Sequence, residues 1–220
     1  MKYTEYKYIY CPRPTNKISP DQIEKYDNGE YVSEVKYDGS AVTVFLNDDG
    51  FVKVMNRHNE PITNPFMDEI DWAGMYSGKG FMVLCGELLN KNKLGEHGIP
   101  LNKKFVIWDI LVYNGDYLVG ATHAERLRKL EILFPTQRMQ VTAVGIEEYK
   151  HVCFTSVKGV FKKAVYTTNF TELYNDLITT GLYEGLVIKR LDAKLQFGFV
   201  EKNNFSSSVK CRKQTKNYSF

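Results

Sequence analysis

Two apolar segments, FMVLCGELL at 81–89 and KFVIWDILVY at 104–113, constrain the fold most strongly. Each is short enough to be one buried strand. A membrane-spanning helix needs roughly 18 consecutive apolar residues, and no segment of this chain approaches that length. Because 43% of the residues are hydrophobic and 25% are charged, the composition is that of a globular protein. We therefore expect a sheet with a buried core, and no membrane partner.

The rest of the pattern predicts an α+β fold. Alternating apolar and polar residues predict further strands at 31–36, 40–46, 51–57, 184–190 and 207–213. Helices are expected near 21–26, over 65–75, after a Thr122–Glu125 capping box, and from Asn169 to Gly181. We expect antiparallel sheets flanked by helices. They would form a single domain over residues 1–220, with residues 1–29 as an N-terminal lead-in.

The cysteines and the N-terminus indicate a cytoplasmic protein. The four cysteines are scattered and form no C-x-x-C pair; they are Cys11, Cys85, Cys153 and Cys211. This spacing argues against a zinc site and favours four free thiols in a reducing cytosol. The N-terminus lacks the apolar segment and cleavage site of a secretory signal. For a viral protein, the compartment would be the host cytoplasm.

Positive charge is concentrated in two segments. The net charge of +3 is too small to identify a partner by itself. Between Lys202 and Lys216 the chain has no acidic residue and five basic ones, namely Lys202, Lys210, Arg212, Lys213 and Lys216. Residues 158–163 add three lysines. Such clusters form either a solvated face or a surface for a phosphate-rich partner.

The segment Glu34-Val35-Lys36-Tyr37-Asp38-Gly39 has a charged residue at every second position. Alternate side chains of a strand point to the same face, so Glu34, Lys36 and Asp38 would lie together. Three charges on one face are costly in a core unless they are paired. The segment therefore predicts either a functional site or an exposed face that ends in an Asp-Gly turn.

Four more motifs combine charged and apolar residues. They are Gly86-Glu87-Leu88, Trp108-Asp109, Glu184-Gly185-Leu186-Val187-Ile188-Lys189, and the strand that carries Lys210 and Arg212 on one face. Each of them alone also fits a structural role, such as a packed tryptophan or a basic edge strand that resists aggregation.

The order of these motifs is more informative than any one of them. K-x-D-G, then Arg57 after the next hairpin, G-E-L, Trp-Asp, E-G-x-x-x-K and K-x-R form the collinear series of the covalent nucleotidyltransferase superfamily. Over about residues 30–213, the chain resembles ATP-dependent DNA ligases, RNA ligases and mRNA-capping guanylyltransferases. The opening IYCPRPTNKI is similar to the lead-in of small phage and bacterial ligase-like proteins. The resemblance implies a nucleotidyltransferase (ATP-grasp-like ligase) domain.

The resemblance implies that Lys36 attacks the α-phosphorus of ATP, expels pyrophosphate and holds AMP through a P–N bond. A lysine attacks only when it is neutral, and its ordinary pKa is about 10.4. Nearby cations, here Lys189, Lys210 and a bound metal, would help to free the lone pair. The side chains of Lys189, Lys210 and Arg212 would also neutralise the charge on the α-phosphate.

The resemblance also implies the nucleotide contacts. Glu34 would bind the adenine amino group, Arg57 and Glu87 would bind the ribose hydroxyls, and Trp108 would stack on the base. Asp38, followed by Gly39, would lie near the ribose and phosphate and orient Lys36. Glu184 would help to position Mg²⁺ or Mn²⁺, which prefer oxygen ligands.

Two departures from the family pattern leave questions open. The last motif reads K-C-R-K, so its second cation is Arg212 if strand alternation holds, or Lys213 if the backbone bulges. DNA ligases and capping enzymes continue into an OB domain at this point, and we expect none here. Either the enzyme is minimal and monomeric, or its grip on the substrate comes from elsewhere.

Three functions compete. The first is an ATP-dependent polynucleotide ligase for RNA or DNA ends, with RNA favoured because KYDGSAVTVF followed by VMNR resembles the RNA ligase domain. The second is a GTP-dependent capping guanylyltransferase, against which Glu34 argues because it suits adenine. The third is a non-catalytic module that binds nucleotide or nucleic acid. The retained lysines argue against it. The four histidines have no metal-like or triad-like spacing, and no role is predicted for them.

Overall fold

The strands form two large sheets and one small hairpin in the computed structural model, which describes residues 6–7, 9–63, 65–143, 145–197 and 207–215. Lys202 and Lys216 of the basic tail lie outside these ranges. Strands are numbered β1 to β14 and α-helices α1 and α2, in chain order.

The first sheet has five strands in the order β1-β14-β13-β2-β12. These strands are β1 (Asn16–Lys17), β2 (Tyr31–Lys36), β12 (Val165–Tyr166), β13 (Gly185–Arg190) and β14 (Ser208–Arg212). Neighbours are antiparallel except β1 and β14, which are parallel. The register places Lys36 beside Gly185, and Gly185 beside Arg212.

The second sheet has the order β10-β11-β6-β5-β3-β4, with β7 paired to β6. Its strands are β3 (Ser40–Asn47), β4 (Val52–Asn56), β5 (Phe81–Leu89), β6 (Lys104–Tyr113), β7 (Asp116–Tyr117), β10 (Val152–Phe154) and β11 (Val160–Lys163). The pair β11–β6 is parallel. The hairpin consists of β8 (Met139–Thr142) and β9 (Gly145–Glu148). The predicted antiparallel architecture is therefore confirmed with one parallel pair in each large sheet.

Two α-helices lie at the predicted positions, although the Asn169 side chain does not cap the second one. Helix α1 (His123–Leu133) begins with a capping box in which the Thr122 hydroxyl accepts from the Glu125 backbone N–H at 3.2 Å. Helix α2 (Phe170–Thr180) ends at Gly181, whose φ of 66° suits glycine. Short 3-10 helices cover Pro20–Tyr26, Ala73–Met75 and Glu96–Gly98.

The predicted helix over 65–75 is wrong. The segment consists of turns up to the 3-10 helix at Ala73–Met75. Phe66 has a φ of 58°, which a continuous right-handed helix excludes. The buried Trp72 side chain donates to the Pro65 carbonyl at 2.9 Å, so packing of the aromatic residue determines the local conformation.

Strand alternation separates the core from the charged face of the first sheet. Val35, Leu186 and Ile188 are fully buried and pack in a core cluster with residues of α2 such as Phe170 and Leu177. Their neighbours along the strands point to the opposite face, which is turned towards the second sheet. The charged residues predicted as a site therefore share one face.

The expectation of four free thiols is wrong for one pair. Cys11 and Cys85 form a disulfide with their Cα atoms 5.8 Å apart, whereas Cys153 and Cys211 are free and buried. The lead-in packs against β3 and β5, and this brings together two cysteines that are 74 residues apart in sequence. The described part of the chain contains no helix able to cross a membrane, and it contains no OB domain.

Candidate active site

A cleft of about 800 Å³ opens between the two sheets. The first sheet contributes side chains of β2, β13 and β14, the second contributes side chains of β3 to β6 and β11, and residues 12–15 of the lead-in form a third side. Nine of the twelve predicted site residues line it, namely Lys36, Gly39, Arg57, Glu87, Trp108, Glu184, Lys189, Lys210 and Arg212. The motifs, which are far apart in sequence, thus meet at one place.

Lys36 lies at the end of β2 and contacts the Glu184 carboxylate. Glu184 also accepts from the Arg212 guanidinium at 2.8 Å, so one carboxylate joins two cations. Its backbone is fixed as well, because its N–H donates to the Lys36 carbonyl at 2.9 Å. All three side chains are only partly exposed, at 20% to 33%. The nucleophile predicted from the sequence therefore sits in the cleft and not in bulk solvent.

Gly185 explains how Lys36 and Arg212 can approach each other across β13. A Cβ atom there would lie 2.1 Å from the Cys211 carbonyl oxygen, and the φ of 134° strongly favours glycine. The position between the two cations therefore carries no side chain. Glycine at this position also allows the backbones of β13 and β14 to approach closely.

The last strand alternates regularly, which shows whether Arg212 or Lys213 faces the cleft. Arg212 pairs with Gly185 in the antiparallel register, without a bulge, and faces the cleft. Lys213 is exposed and does not line the cleft; its ammonium is 3.5 Å from the Ile178 carbonyl of α2. Arg212, not Lys213, therefore accompanies Lys210.

Lys210 is partly buried on the same face, and its ammonium donates to the Pro14 carbonyl of the lead-in at 3.2 Å. Burial lowers the pKa of Lys210, and the nearby cations Lys36, Arg212, Lys17 and Arg13 lower it further. Positive charge is concentrated at this end of the cleft, where an anion would be stabilised.

A buried ionic cluster closes the deep end of the cleft. The fully buried Glu34 lies 2.8 Å from the Lys189 ammonium, 3.7 Å from Lys163 and 3.4 Å from His123 Nε2. Burial alone would raise the pKa of Glu34, but Lys189 and His123 hold it well below its usual range. Lys189 is therefore bound to Glu34, and it lies four positions along β13 from Gly185, the residue that pairs with Lys36. Glu34 itself lines a second cavity of about 560 Å³ on the far side of Trp108.

Lys163 is a cleft residue that the sequence reasoning missed. Its ammonium lies 4.7 Å from the centre of the Trp108 ring, within the range of a cation–π contact. Burial lowers the pKa of Lys163 to about 8, although Glu34 opposes the shift. The sequence signal for Lys163 is a pair of adjacent lysines inside the apolar segment VFKKAV at 160–165. His123, for which no role was predicted, was missed in the same way.

The G-E-L and K-x-D-G motifs meet at the mouth of the cleft. The Gly39 N–H donates to the Glu87 carboxylate at 3.2 Å, and a Cβ on Gly39 would lie 2.6 Å from the Leu88 carbonyl oxygen. Burial raises the pKa of Glu87. Arg57 is exposed at the same mouth and donates to His58 at 3.0 Å.

The structure does not place Asp38 where the resemblance implied. Its carboxylate accepts from the Lys91 ammonium at 2.8 and 2.9 Å, and it does not line the cleft. Asp109, beside Trp108, also points elsewhere. It is buried in an ion pair with Arg126 at 2.7 Å that fastens α1 to β6.

The model of the family described as RNA ligase matches residues 29–211. The chain belongs to the RNA ligase family. The match includes every predicted site residue except Arg212 and Lys213, which follow it immediately. Because the match covers most of the chain, the family assignment applies to both large sheets and the cleft between them.

Individual relatives of this RNA ligase family member are distant. A DNA ligase of Ignicoccus hospitalis is 24% identical over 182 residues, which are 67% of this chain and 30% of that protein. The ligase domain of LigD from M. tuberculosis superposes with a TM-score of 0.63 at 18% identity, over 94% of this chain and 60% of that one. An archaeal ATP-dependent RNA ligase gives a TM-score of 0.52 at 16% identity, over 92% and 48%. The chain thus spans less than two thirds of each of these proteins. The structural similarities establish the fold.

The cleft of this RNA ligase family member suits a divalent metal that is bound together with substrate phosphates. The described residues contain no cluster of three or more His, Cys, Asp or Glu side chains that could hold a metal alone. Glu184 offers one carboxylate, beside Lys36 and Arg212. Mg²⁺ is commonly bound by one or two carboxylates together with substrate phosphates and waters, and the donor set at Glu184 suits that kind of site.

Proposed function

We propose that the chain is an ATP-dependent polynucleotide ligase, which transfers AMP from ATP to Lys36 and uses it to join RNA or DNA ends, with RNA favoured. The observation that carries this proposal is the contact of Lys36 with Glu184 inside a cleft that also contains Lys210 and Arg212. A nucleophilic amine, a carboxylate and two fixed cations are the groups that such a transfer requires.

The chemistry of the first step follows from these positions. Lys36 reacts as the uncharged amine, whose formation is favoured by the cations Lys210 and Arg212 in the same cleft, and its first proton passes to solvent. The lone pair forms a bond to the α-phosphorus, and the nitrogen then releases its second proton to solvent. The bond from that phosphorus to the bridging oxygen breaks, and pyrophosphate leaves. Lys210 and Arg212 stabilise the negative charge that develops on the α-phosphate oxygens. The N–P bond then breaks as AMP passes from Lys36 to a terminal phosphate of one polynucleotide. The hydroxyl of another end attacks that phosphate, and AMP leaves.

The deep end of the cleft suits adenine. Trp108 offers a flat ring on one side, and Val187 of β13 lines the opposite wall. The sequence reasoning did not single out Val187. Glu34, kept ionised by Lys189, can only accept hydrogen bonds. Its carboxylate lies behind Trp108, outside the cleft, so it would act on the base site through Lys189, which it holds at the cleft wall. The resemblance to adenine-using ligases is what favours ATP over GTP.

Glu184 would hold Mg²⁺ or Mn²⁺ together with the nucleotide phosphates. When bound, the metal would supply positive charge that offsets the charge of the triphosphate. The polynucleotide would be held mainly through its phosphates at the basic end of the cleft around Lys210 and Arg212, so binding should weaken steeply with salt.

The test is incubation of the purified protein with radiolabelled ATP and Mg²⁺ or Mn²⁺, followed by denaturing electrophoresis. We expect a labelled protein that Lys36→Ala abolishes and that Lys79→Ala, an exposed lysine outside the cleft, retains. A wild-type protein that stays unlabelled contradicts the proposal. Labelling by GTP in place of ATP would support the guanylyltransferase, and ATP binding without labelling would support a non-catalytic module.

A ligation panel then identifies the polynucleotide. Nicked DNA, nicked RNA, RNA–DNA hybrids and single-stranded RNA are compared under the same conditions. We expect sealing of RNA ends to be fastest. Faster sealing of nicked DNA would reverse the preference while leaving the ligase activity in place.

A further inference from the structure

Residues 11–18, which we call the strap, connect the two sheets along one side of the cleft. At one end the disulfide joins Cys11 to Cys85 of β5 in the second sheet. At the other end β1 pairs with β14 of the first sheet, and the Ile18 N–H donates to the Lys210 carbonyl at 3.0 Å. Because both ends are fixed to different sheets, residues 12–15 between them are held against the cleft, which they line.

The strap brings two cations to the phosphate end of the cleft. Arg13 lines the cleft and also a small adjoining cavity that Arg57 lines. Lys17 pairs in register with Lys210, and paired residues of neighbouring strands project from the same face. Both Arg13 and Lys17 are close enough to lower the pKa of Lys210. The strap is therefore part of the same field of positive charge as the predicted motif residues.

The strand order determines which part of ATP reaches the strap. Across the first sheet, β2 with Lys36 is followed by β13 with Gly185, β14 with Arg212, and then β1 of the strap. Lys36 and Arg212 flank Gly185, which carries no side chain, so an α-phosphate bound by both cations would lie over β13. In phosphoryl-transfer chemistry the nucleophile and the leaving group lie in line on opposite sides of the phosphorus. The line from Lys36 through that phosphorus continues over β14 towards the strap.

We infer that Arg13 and Lys17 of the strap, together with Lys210, bind the β- and γ-phosphates of ATP and the pyrophosphate that leaves. This inference rests on the proposed function and adds a leaving-group site to it. As the Lys36–phosphorus bond forms, the electron pair of the broken P–O bond passes to pyrophosphate, whose extra negative charge appears beside these cations. The two protons of the Lys36 nitrogen pass to solvent, as above.

The experiment compares ATP with AMP, since AMP lacks the two outer phosphates. Equilibrium binding of both nucleotides, and inhibition of protein labelling by inorganic pyrophosphate, are measured for the wild type, Arg13→Ala, Arg13→Lys and Lys17→Ala. We expect Arg13→Ala to weaken ATP binding about tenfold or more, to change AMP binding less than about twofold, and to reduce inhibition by pyrophosphate. Arg13→Lys should retain part of the effect, and the control Lys79→Ala should behave as the wild type.

Equal weakening of ATP and AMP by Arg13→Ala, or no weakening of either, would overturn the inference. Lys17 is exposed, so Lys17→Ala provides a second test that does not depend on folding of the Arg13 variant; unchanged ATP binding and pyrophosphate inhibition there would count against the role of Lys17. Failure of the proposed function can be distinguished from failure of this inference. If the wild type forms no labelled adduct while Arg13→Ala still weakens ATP selectively, the phosphate site stands and the ligase proposal falls.

Discussion

The carboxylate of Glu34 and the ammonium of Lys189 lie 2.8 Å apart, although their side chains are only 0% and 5% exposed. The pair joins β2 to β13 at the deep end of the cleft. Lys163 from the second sheet approaches the same carboxylate at 3.7 Å. A buried carboxylate is stable only because cations surround it. The same cluster that forms the wall of the base site therefore also contributes to the stability of the fold.

Loss of one member of this pair should therefore destabilise the protein strongly. We expect Lys189→Met to lower the free energy of unfolding by about 3–5 kcal/mol, because it leaves a buried carboxylate with weaker compensation. The double variant Glu34→Gln/Lys189→Met should cost less than the sum of the two single variants. Urea unfolding of all four proteins measures the coupling. If the losses of unfolding free energy in the two single variants add up to the loss in the double variant, the two side chains act independently.

Because of Lys163, the free energy of unfolding should change with pH in the alkaline range. Its pKa is about 8 in the folded protein and 10.5 in the unfolded chain, so between these values the unfolded state binds more protons. The free energy of unfolding contributed by this residue therefore rises with pH over that window, by about 3 kcal/mol in total. Urea unfolding of wild type and Lys163→Met is measured from pH 7.5 to 10.5. The free energy of unfolding of the wild type should rise relative to that of the variant.

The control for this pH effect is Lys79→Met, at an exposed lysine away from the cluster. Its difference from the wild type should stay constant over the same pH range. A constant difference for Lys163→Met as well would mean that Lys163 titrates as an ordinary surface lysine.

Local sequence rules predicted the features that depend on a single strand or on neighbouring residues. Alternation along β14 placed Arg212 beside Lys210, and the capping box located the start of α1. Contacts between distant segments could not be predicted in this way. The pairing of Asp38 with Lys91, 53 residues away, and the burial of Lys163 against Trp108 depend on how the strands assemble.

Two wrong predictions have the same cause. The helix expected over 65–75 followed from local composition, but the turn at Phe66 and the burial of Trp72 are tertiary effects. The disulfide required the lead-in to lie against β5, which the spacing of Cys11 and Cys85 does not reveal. The order of the motifs, in contrast, predicted nine cleft residues, because the strands and loops that carry the motifs border the same cleft.

Trp108 should bind the base through its flat ring. Trp108→Phe retains a ring and should keep the affinity for ATP within about threefold, whereas Trp108→Leu should lose about 1–3 kcal/mol of binding, since base–aromatic stacking is worth that much. Leucine is the better comparison than alanine, because Trp108 is only 6% exposed and a cavity would destabilise the fold. Equilibrium ATP titration without metal measures the effect. Equal affinity for Trp108→Leu and wild type would exclude stacking.

Arg212 and Lys213 are adjacent in sequence but should differ sharply in function. Arg212 contacts Glu184 at 2.8 Å and faces the cleft, so Arg212→Ala should slow formation of the labelled adduct by about 10²–10³-fold, as expected when a fixed donor to a developing charge is lost. Lys213 points away from the cleft towards α2, so Lys213→Ala should react within about twofold of the wild type. Arg212→Lys should recover part of the rate, because it restores the charge but not the forked geometry of the guanidinium. Single-turnover labelling with ATP gives the rates. A slow Lys213→Ala combined with a normal Arg212→Ala would mean that β14 shifts by one residue when the nucleotide is bound.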